Sequence, residues 1–416
     1  MKFENYLIDD NLKNNLADQG LKRPTDIQYK AIPSILKDED VLAIAQTGTG
    51  KTVAFALPVI HRIIKAKNAR KSKGIHAIVM VPTRELAAQI HGVFSSLCRK
   101  TKVVPLAVYG GVEQESQINK LKTGVDILIA TPGRMFDLIS QKAIDVNHVR
   151  ILVLDEADQM LDQGFIEDIQ SIKRHLKQRH QTLFFSATIN KEIKKLAFSQ
   201  VKSNAIRIQI SPNDPVSKNV SHYVLDVEMD DKRFFLRSFI RDHENAKIMV
   251  FVRTMVRAER VAKALERAGI FPLTIHGKKE QSERLAVMEA FKSGSKNILI
   301  ATDVSARGID IPNVDYVINY DLPDKKEVYV HRVGRTGRGR SKGSALSFCS
   351  TEEKEMLAEI EGFLTKPIEK IEVSKNDYSF TVEVSESHDD VQDIIRANEE
   401  WEKNRKKKRS NRRNKR

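Results

Sequence analysis

The chain has 416 residues, 41% hydrophobic and 30% charged, and its 70 Lys and Arg outnumber 55 Asp and Glu to leave a formal net charge of +15. That length is too great for one ordinary core, and that apolar fraction suffices to fold two domains of typical size. Its two cysteines, Cys98 and Cys349, fall in different halves with no C-x-x-C spacing and no clustered His, which excludes a disulfide framework and a zinc site and leaves two core thiols.

The segment Met1 to Asp10 acquires acids before a signal-peptide core develops, and no apolar stretch approaches the length of a membrane span. A cytoplasmic protein without a membrane partner is the expectation. Short Val/Ile/Leu runs then alternate with longer charged amphipathic stretches, the pattern of parallel strands joined by crossover helices, so the fold class is α/β. In the first half the runs are Val41 to Ala45, Ala77 to Val81, Val104 to Val108, Ile127 to Ala130, Ile151 to Leu154 and Thr182 to Phe185.

The first run opens into Gln46-Thr47-Gly48-Thr49-Gly50-Lys51-Thr52, a Gly-rich loop entering a helix at Lys51, with Ala45 where the strict pattern has its first Gly. Backbone N–H groups and Lys51 suit the β and γ oxygens of a nucleoside triphosphate, and the Thr52 hydroxyl suits its Mg2+. About a hundred residues later Ile151 to Leu154 opens on Asp155-Glu156-Ala157-Asp158. Alone, such a cluster is usually a solvated turn. Behind a phosphate loop, Asp155 reads as the second Mg2+ partner and Glu156 as the general base for the attacking water. ATP and its Mg2+ are the expected cofactors.

The second half repeats the arrangement with Ile248 to Val252, Leu273 to Ile275, Ile298 to Ala301, Tyr316 to Asn319 and Ala345 to Phe348. Ile127-Leu-Ile-Ala-Thr131 recurs as Ile298-Leu-Ile-Ala-Thr302, an echo that points to duplication, yet the second half has no phosphate loop of its own. Two similar domains sharing one loop imply ATP between them. The expected boundaries are a first domain at 1–210, a linker at 211–218 where two prolines interrupt periodicity, a second domain at 219–372 and an extension at 373–416. The linker segment also reads as a surface loop within one large sheet. The extension ends in Lys403 to Arg416, with ten Lys and Arg and no acid, a composition that predicts a disordered tail attracted to nucleic acid or merely solubilising. Trp401 reads equally as a packed anchor or an exposed residue.

These residues together resemble the DEAD-box RNA helicases. Gly20 to Gln28 is similar to the family's adenine-reading segment, with Phe3 at about the family's spacing upstream. Pro82-Thr-Arg-Glu-Leu86, Gly110-Gly111, Thr131-Pro-Gly-Arg134, Ser186-Ala-Thr188, Gln281-Ser-Glu-Arg284, Ala301 to Asp310 and His331-Arg-Val-Gly-Arg-Thr-Gly-Arg338 follow in family order, so the likeness covers residues 1 to about 370. One departure is Leu21, where the family has an aromatic that packs on adenine. Leu21 still offers an apolar face, and Gln28 suits the paired hydrogen bonds that tell adenine from guanine. A bare core with a short basic end looks most similar to the bacterial RhlE-like group.

The resemblance implies two tandem RecA-like domains and assigns roles. Gly308 and Asp310 touch the ribose side of the nucleotide. Arg335 and Arg338 are the arginine fingers for the γ-phosphate, although that Gly-rich basic segment alone could simply bind RNA. Asp158, Ser186, Thr188 and His331 couple the domains, although Ser186-Ala-Thr188 alone also reads as a helix cap. RNA is held by Pro82, Thr83, Arg84, Gly111, Thr131, Gly133 and Arg134 in the first domain, and by Arg253, Gly277, Gln281, Arg284, Thr302 and Asp303 in the second. Most of these suit phosphates and sugars, none looks like a base reader, and binding is expected to ignore sequence. The implied activity is RNA-dependent ATP hydrolysis coupled to local, non-processive unwinding of short duplexes or remodelling of RNA–protein complexes, by a monomer, with ribosome-assembly or RNA-decay proteins as conceivable partners. An ATP-gated RNA clamp and a DNA-directed helicase are the alternatives.

Overall fold

The structure is a computed structural model that describes residues 1–46, 48–69, 74–210, 216–217, 219–303, 311, 314–337, 341–364 and 367–383. These fall into two compact units, divided between 217 and 219. Most of the expected linker, Trp401 and the basic segment from Lys403 lie outside the described residues, as do Thr47, Gly308, Asp310 and Arg338.

Seven strands form one sheet in the first unit: β1 (Val41–Ile44), β2 (Ala77–Met80), β3 (Pro105–Val108), β4 (Ile127–Ala130), β5 (Ile151–Leu154), β6 (Gln181–Ser186) and β7 (Ile206–Gln209). Their order is 3-4-2-5-6-1-7, and every pair is parallel. A parallel sheet is covered on both faces by its crossovers, so its strands are apolar at every position rather than at alternate ones. Successive residues accordingly enter different cores. Val41, Ala43, Ile151, Val153 and Phe185 pack with α1 (Asp10–Asp18), α2 (Asp26–Leu36), α3 (Lys51–Asn68) and α4 (Arg84–Leu97). Leu42, Ile44, Leu152, Leu154 and Phe184 pack with α5 (Gln114–Lys122), α6 (Pro132–Ser140), α7 (Ala157–Asp162), α8 (Ile166–His175) and α9 (Lys191–Gln200).

The second unit holds β8 (Val220–Asp226), β9 (Ile248–Phe251), β10 (Leu273–Ile275), β11 (Ile298–Ala301), β12 (Tyr316–Asn319), β13 (Gly343–Cys349) and β14 (Glu369–Ile371), with α10 (Lys232–Asp242), α11 (Met255–Arg267), α12 (Gln281–Ser293), α13 (Lys326–Val333) and α14 (Lys354–Leu364). The sheet runs 10-11-9-12-13-8-14, again parallel throughout. It is the order of the first sheet, seven strands on. The Ile-Leu-Ile-Ala-Thr echo falls on β4 and β11, which stand second in their respective sheets. The chain from 373 does not leave the second unit at once: residues 375–383 are helical, Tyr378 Oη donates to Asp231 Oδ2 at 2.7 Å, and its ring lies 4.8 Å from that of Phe235.

Both cysteines are buried free thiols, and burial pushes Cys98 up to about 12 and Cys349 to about 11. No helix among the described residues is long and apolar enough to cross a membrane.

Candidate active site

The loop after β1 turns on two glycines in the left-handed region, Gly48 at φ 78° and Gly50 at φ 90°. At Gly50 the left-handed backbone favours glycine, and a Cβ there would stand 2.4 Å from Gln28 Nε2, in the way of the segment Gly20 to Gln28 where it closes on the loop. Two bonds make that closure, Gln28 Nε2 donating to Gly50 O at 3.0 Å and Thr25 Oγ1 to Thr49 O at 2.7 Å, and a third within the loop, Thr49 Oγ1 to Gln46 O at 2.8 Å, braces it. Gln28 Oε1 in turn accepts from Thr25 N at 2.9 Å. Both ends of its amide are thereby oriented, while each end keeps one further donor or acceptor position for a base edge. Leu21 is half-buried against the core and Phe3 is 3% exposed within it, so Phe3 anchors the segment, its N–H donating to Lys22 O at 3.3 Å, rather than presenting a ring.

Lys51 begins α3 and Thr52 follows it. Lys51 is 6% exposed, and its Nζ has no hydrogen-bond partner among the described residues. An unpaired buried ammonium is costly, and an oligophosphate in the loop would supply the missing acceptors. Asp155, at the end of β5, is buried, and burial is the main cause that pushes its carboxyl up to about 7, against the pull of Lys51. The described residues contain no cluster of three metal-ligating side chains. The donor set at the loop, a carboxylate and the Thr52 hydroxyl, is of the hard oxygen kind that Mg2+ accepts when it arrives on substrate phosphates. Since the metal needs the carboxylate and the proton competes for it, Mg-nucleotide affinity is expected to fall up to tenfold per unit as pH drops below about 7 and to stay level above it. Calorimetric titration with Mg-ADP across that range checks this, and a flat profile would contradict it.

Glu156 adopts φ 53°, a left-handed conformation uncommon for a residue with a Cβ. The turn bends the chain off β5 into α7 and leaves Glu156 beside Asp155, where its Oε2 accepts from Gln159 Nε2. Gln159 is 0% exposed and was not singled out from sequence. Asp158 belongs to a second network: its Oδ2 accepts from Ala187 N at 3.1 Å, Thr188 N at 2.9 Å and Thr188 Oγ1 at 2.9 Å, while Ser186 Oγ donates to Thr188 O at 2.8 Å. The turn after β6 is therefore clamped to the acidic turn after β5.

The RNA candidates of this unit sit at the ends of three adjacent strands. Thr83 follows β2 and caps α4, its Oγ1 accepting from Leu86 N at 3.2 Å. Arg84 lies over Gly110-Gly111 beyond β3, so close that a Cβ on Gly111 would be 1.8 Å from its Nη1. Thr131 follows β4 and is the N-cap of α6, which Pro132 starts, and Arg134 Nη2 donates to Val112 O at 3.3 Å. Pro82 is buried, whereas Gly111 and Gly133 are exposed. In the sheet order 3-4-2-5-6-1-7 these RNA candidates occupy the first three strands, and the nucleotide candidates β5 and β1, with the coupling candidates Ser186 and Thr188 at the end of β6 between them.

The second unit repeats that placement, with Gly277 just beyond β10, Thr302 and Asp303 beyond β11 and Arg253 beyond β9. Gln281 and Arg284 lie in the first turn of α12. Arg253 is anchored by its N–H to Asp321 Oδ2 at 2.9 Å, by Nη2 to Glu353 Oε1 at 3.2 Å and by Nε to Asp324 at 3.1 Å. Glu353 also pairs with Lys232, which is 0% exposed and donates to Tyr320 O at 2.8 Å. Asp303 is held in two bonds by Arg332, Nε to Oδ1 at 2.6 Å and Nη2 to Oδ2 at 2.8 Å. Arg332, 1% exposed, also reaches Asn319 Oδ1 and Asp321 O. It ties the ends of β11 and β12 together, a role absent from the sequence reading. Arg332→Ala is expected to lower stability by about 3 kcal/mol, the low end for breaking a buried pair because Asp303 keeps some solvent; the shift of the denaturant midpoint measures it, and an unchanged midpoint would contradict it.

His331 and Arg335 belong to the end of α13 and the turn after it, are 4% and 3% exposed, and are joined by Arg335 Nε donating to His331 O at 3.1 Å. The turn is packed tightly: Gly337, at φ 65°, would place a Cβ 2.5 Å from Val220 Cγ2.

Residues 25–196 match the DEAD/DEAH box helicase family and residues 231–340 the helicase conserved C-terminal domain. The chain is 36% identical over 394 residues to the ATP-dependent RNA helicase CshA of Listeria monocytogenes, covering 95% of this chain and 75% of that one. It is 38% identical over 360 residues to the DEAD-box ATP-dependent RNA helicase CshA of Bacillus subtilis, covering 86% and 72%. Two solved structures are similar: S. cerevisiae Dbp5 bound to RNA and ADP BeF3, with TM-score 0.82, 29% identity and coverage of 93% and 99%, and the DEAD-box helicase Mss116 bound to ssRNA and UDP-BeF, with 0.83, 28%, 92% and 81%.

Proposed function

We infer that this chain, which belongs to the DEAD-box family of ATP-dependent RNA helicases, hydrolyses Mg-ATP under the control of bound RNA and uses the cycle to separate short duplexes locally or remodel RNA–protein complexes. The observation that carries the nucleotide half is Lys51, with its unpartnered buried Nζ, acting electrostatically on Asp155, which with Glu156 stands at the end of β5, one strand removed from β1 in the sheet. On this reading Lys51 and the loop N–H groups bind the β and γ oxygens. Thr52 and Asp155 would hold Mg2+, which when bound would neutralise developing phosphoryl charge. Glu156, oriented by Gln159, accepts the proton of the attacking water.

The remaining transition-state cation is assigned to Arg335, with Arg338 beside it in sequence. The phosphate loop and Arg335 belong to different units, so hydrolysis depends on RNA engaging both. Asp158, Ser186, Thr188 and His331 are assigned to that coupling, and Gln28, Gly308 and Asp310 to the nucleoside. RNA is held through phosphates and sugars by the strand-end residues, without sequence preference. The RNA in the Dbp5 and Mss116 structures supports an RNA substrate here. A cytoplasmic monomer near the RhlE-like group completes the reading.

Steady-state Mg-ATP hydrolysis, measured alone and with single-stranded RNA or DNA of equal length, tests it. Strong stimulation by RNA only is the expected result. Equal stimulation by DNA would replace the reading with a DNA-directed or general helicase, and strand displacement separates helicase from clamp.

A further inference from the structure

A groove of about 910 Å³ in the second unit has no part in the site described above. It runs along α11, from Thr254 and Arg257 near the end of β9 to Phe271 beyond the helix. Tyr320 and Val261, 4% and 5% exposed, supply an apolar floor. The rim is cationic. Arg260, Lys263 and Arg267 stand at i, i+3 and i+7, which places them along one face of the helix, and all three are exposed.

A charged helix face is ordinarily a solvated one, with its cations balanced by acids three or four residues away. Here Glu259, which could serve Lys263 at i+4, is turned to His276 Nε2 at 2.7 Å, and the two acids in the lining, Asp230 and Glu266, are outnumbered by Arg233, Arg257, Arg260, Lys263 and Arg267. Among the described residues Arg260, Lys263 and Arg267 make no hydrogen bond or ion pair. At the far end Phe271 is 62% exposed, and Lys296 Nζ lies 5.9 Å from its ring. Cations lining a concave track with an exposed aromatic among them suit a polyanion of stackable bases.

We propose that this groove is a second RNA-binding surface, which holds single-stranded RNA flanking the strand-end track, with phosphates on Arg260, Lys263 and Arg267 and a base stacked on Phe271. The proposal rests on the RNA-directed reading above. RNA is favoured over an acidic protein segment because the near end of the groove directly follows Arg253, one of the RNA candidates, so a strand can pass from one surface to the other.

The test compares the full chain with the triple variant Arg260→Gln, Lys263→Gln, Arg267→Gln and with Phe271→Ala. Equilibrium binding is measured across salt with an RNA that spans only the strand-end track and with the same RNA extended at both ends. For the extended RNA, the triple variant is expected to flatten the salt slope by about 2, and Phe271→Ala to weaken binding roughly 5- to 100-fold. The short RNA is expected to bind both variants as it binds the parent. Equal losses with short and extended RNA, or no loss with either, would overturn the proposal, as would variants that release a polyglutamate probe but not the extended RNA. ATP hydrolysis is recorded separately, so a parent chain that RNA fails to stimulate would sink the RNA-gated reading while the binding comparison still decides the groove.

Discussion

Glu156→Gln is expected to slow ATP turnover by about two to four orders of magnitude, the usual contribution of a positioned general base, while nucleotide and RNA still bind. The side chain is placed by backbone as well as by contacts. A non-glycine residue at φ 53° costs about 1–3 kcal/mol, and the buried surroundings of α7 sustain it. Gln159 Nε2 donates to the Glu156 carboxylate, and an amide oxygen in its place can accept the same bond. Glutamine therefore retains shape and orientation and loses the negative charge and with it the capacity to take a proton. Single-turnover hydrolysis beside equilibrium binding of a labelled nucleotide makes the measurement. Turnover within tenfold of the parent would show that Glu156 is not the base.

The second large effect is expected at Arg335. Removing a transition-state arginine costs about three to five orders of magnitude in related phosphoryl transfers, and RNA-stimulated hydrolysis by Arg335→Ala should fall by that amount. Arg335 is 3% exposed, and its Nε donates to His331 O, so truncation also disturbs the turn that carries it. Arg335→Lys separates the two causes: it retains the charge and most of the packing but presents a point cation in place of a planar fork. If both variants unfold at the parent's midpoint and both lose hydrolysis, the defect is chemical. A lysine variant with parental turnover would reduce Arg335 to a structural residue.

Much of this was legible in the chain because parallel strands buried on both faces are continuous apolar runs, and every run singled out from sequence is a strand. The three strands missed are of another kind. β7 and β14 are edge strands with charged or polar exposed positions, Ile206-Arg-Ile-Gln209 and Glu369-Lys-Ile371, and β8 mixes Ser, His and Tyr into its apolar run. The residues that support the site were silent for a different reason. Arg332 meets Asp303 across 29 residues and Glu353 meets Arg253 across 100, so their roles arise only when distant strand ends are brought side by side. Gln159 carries no chemistry of its own and matters through the carboxylate it orients. At Phe3 an aromatic read by its spacing proves to be a core anchor, because spacing reports that a ring is present and says nothing of which way it faces.

The matched order of the two sheets has a metric consequence. Parallel strands stand about 4.8 Å apart, a distance set by backbone hydrogen bonding and indifferent to side chains, so three neighbours span only about 10 Å from first to last. The RNA candidates occupy three such neighbours in each unit. Each sheet is thus a ruler with the same short graduation. The reach of the strand-end candidates within one unit is then a constant of the fold, which substitutions at those positions can tighten or loosen but cannot lengthen, and any longer grip needs a surface outside the strand ends.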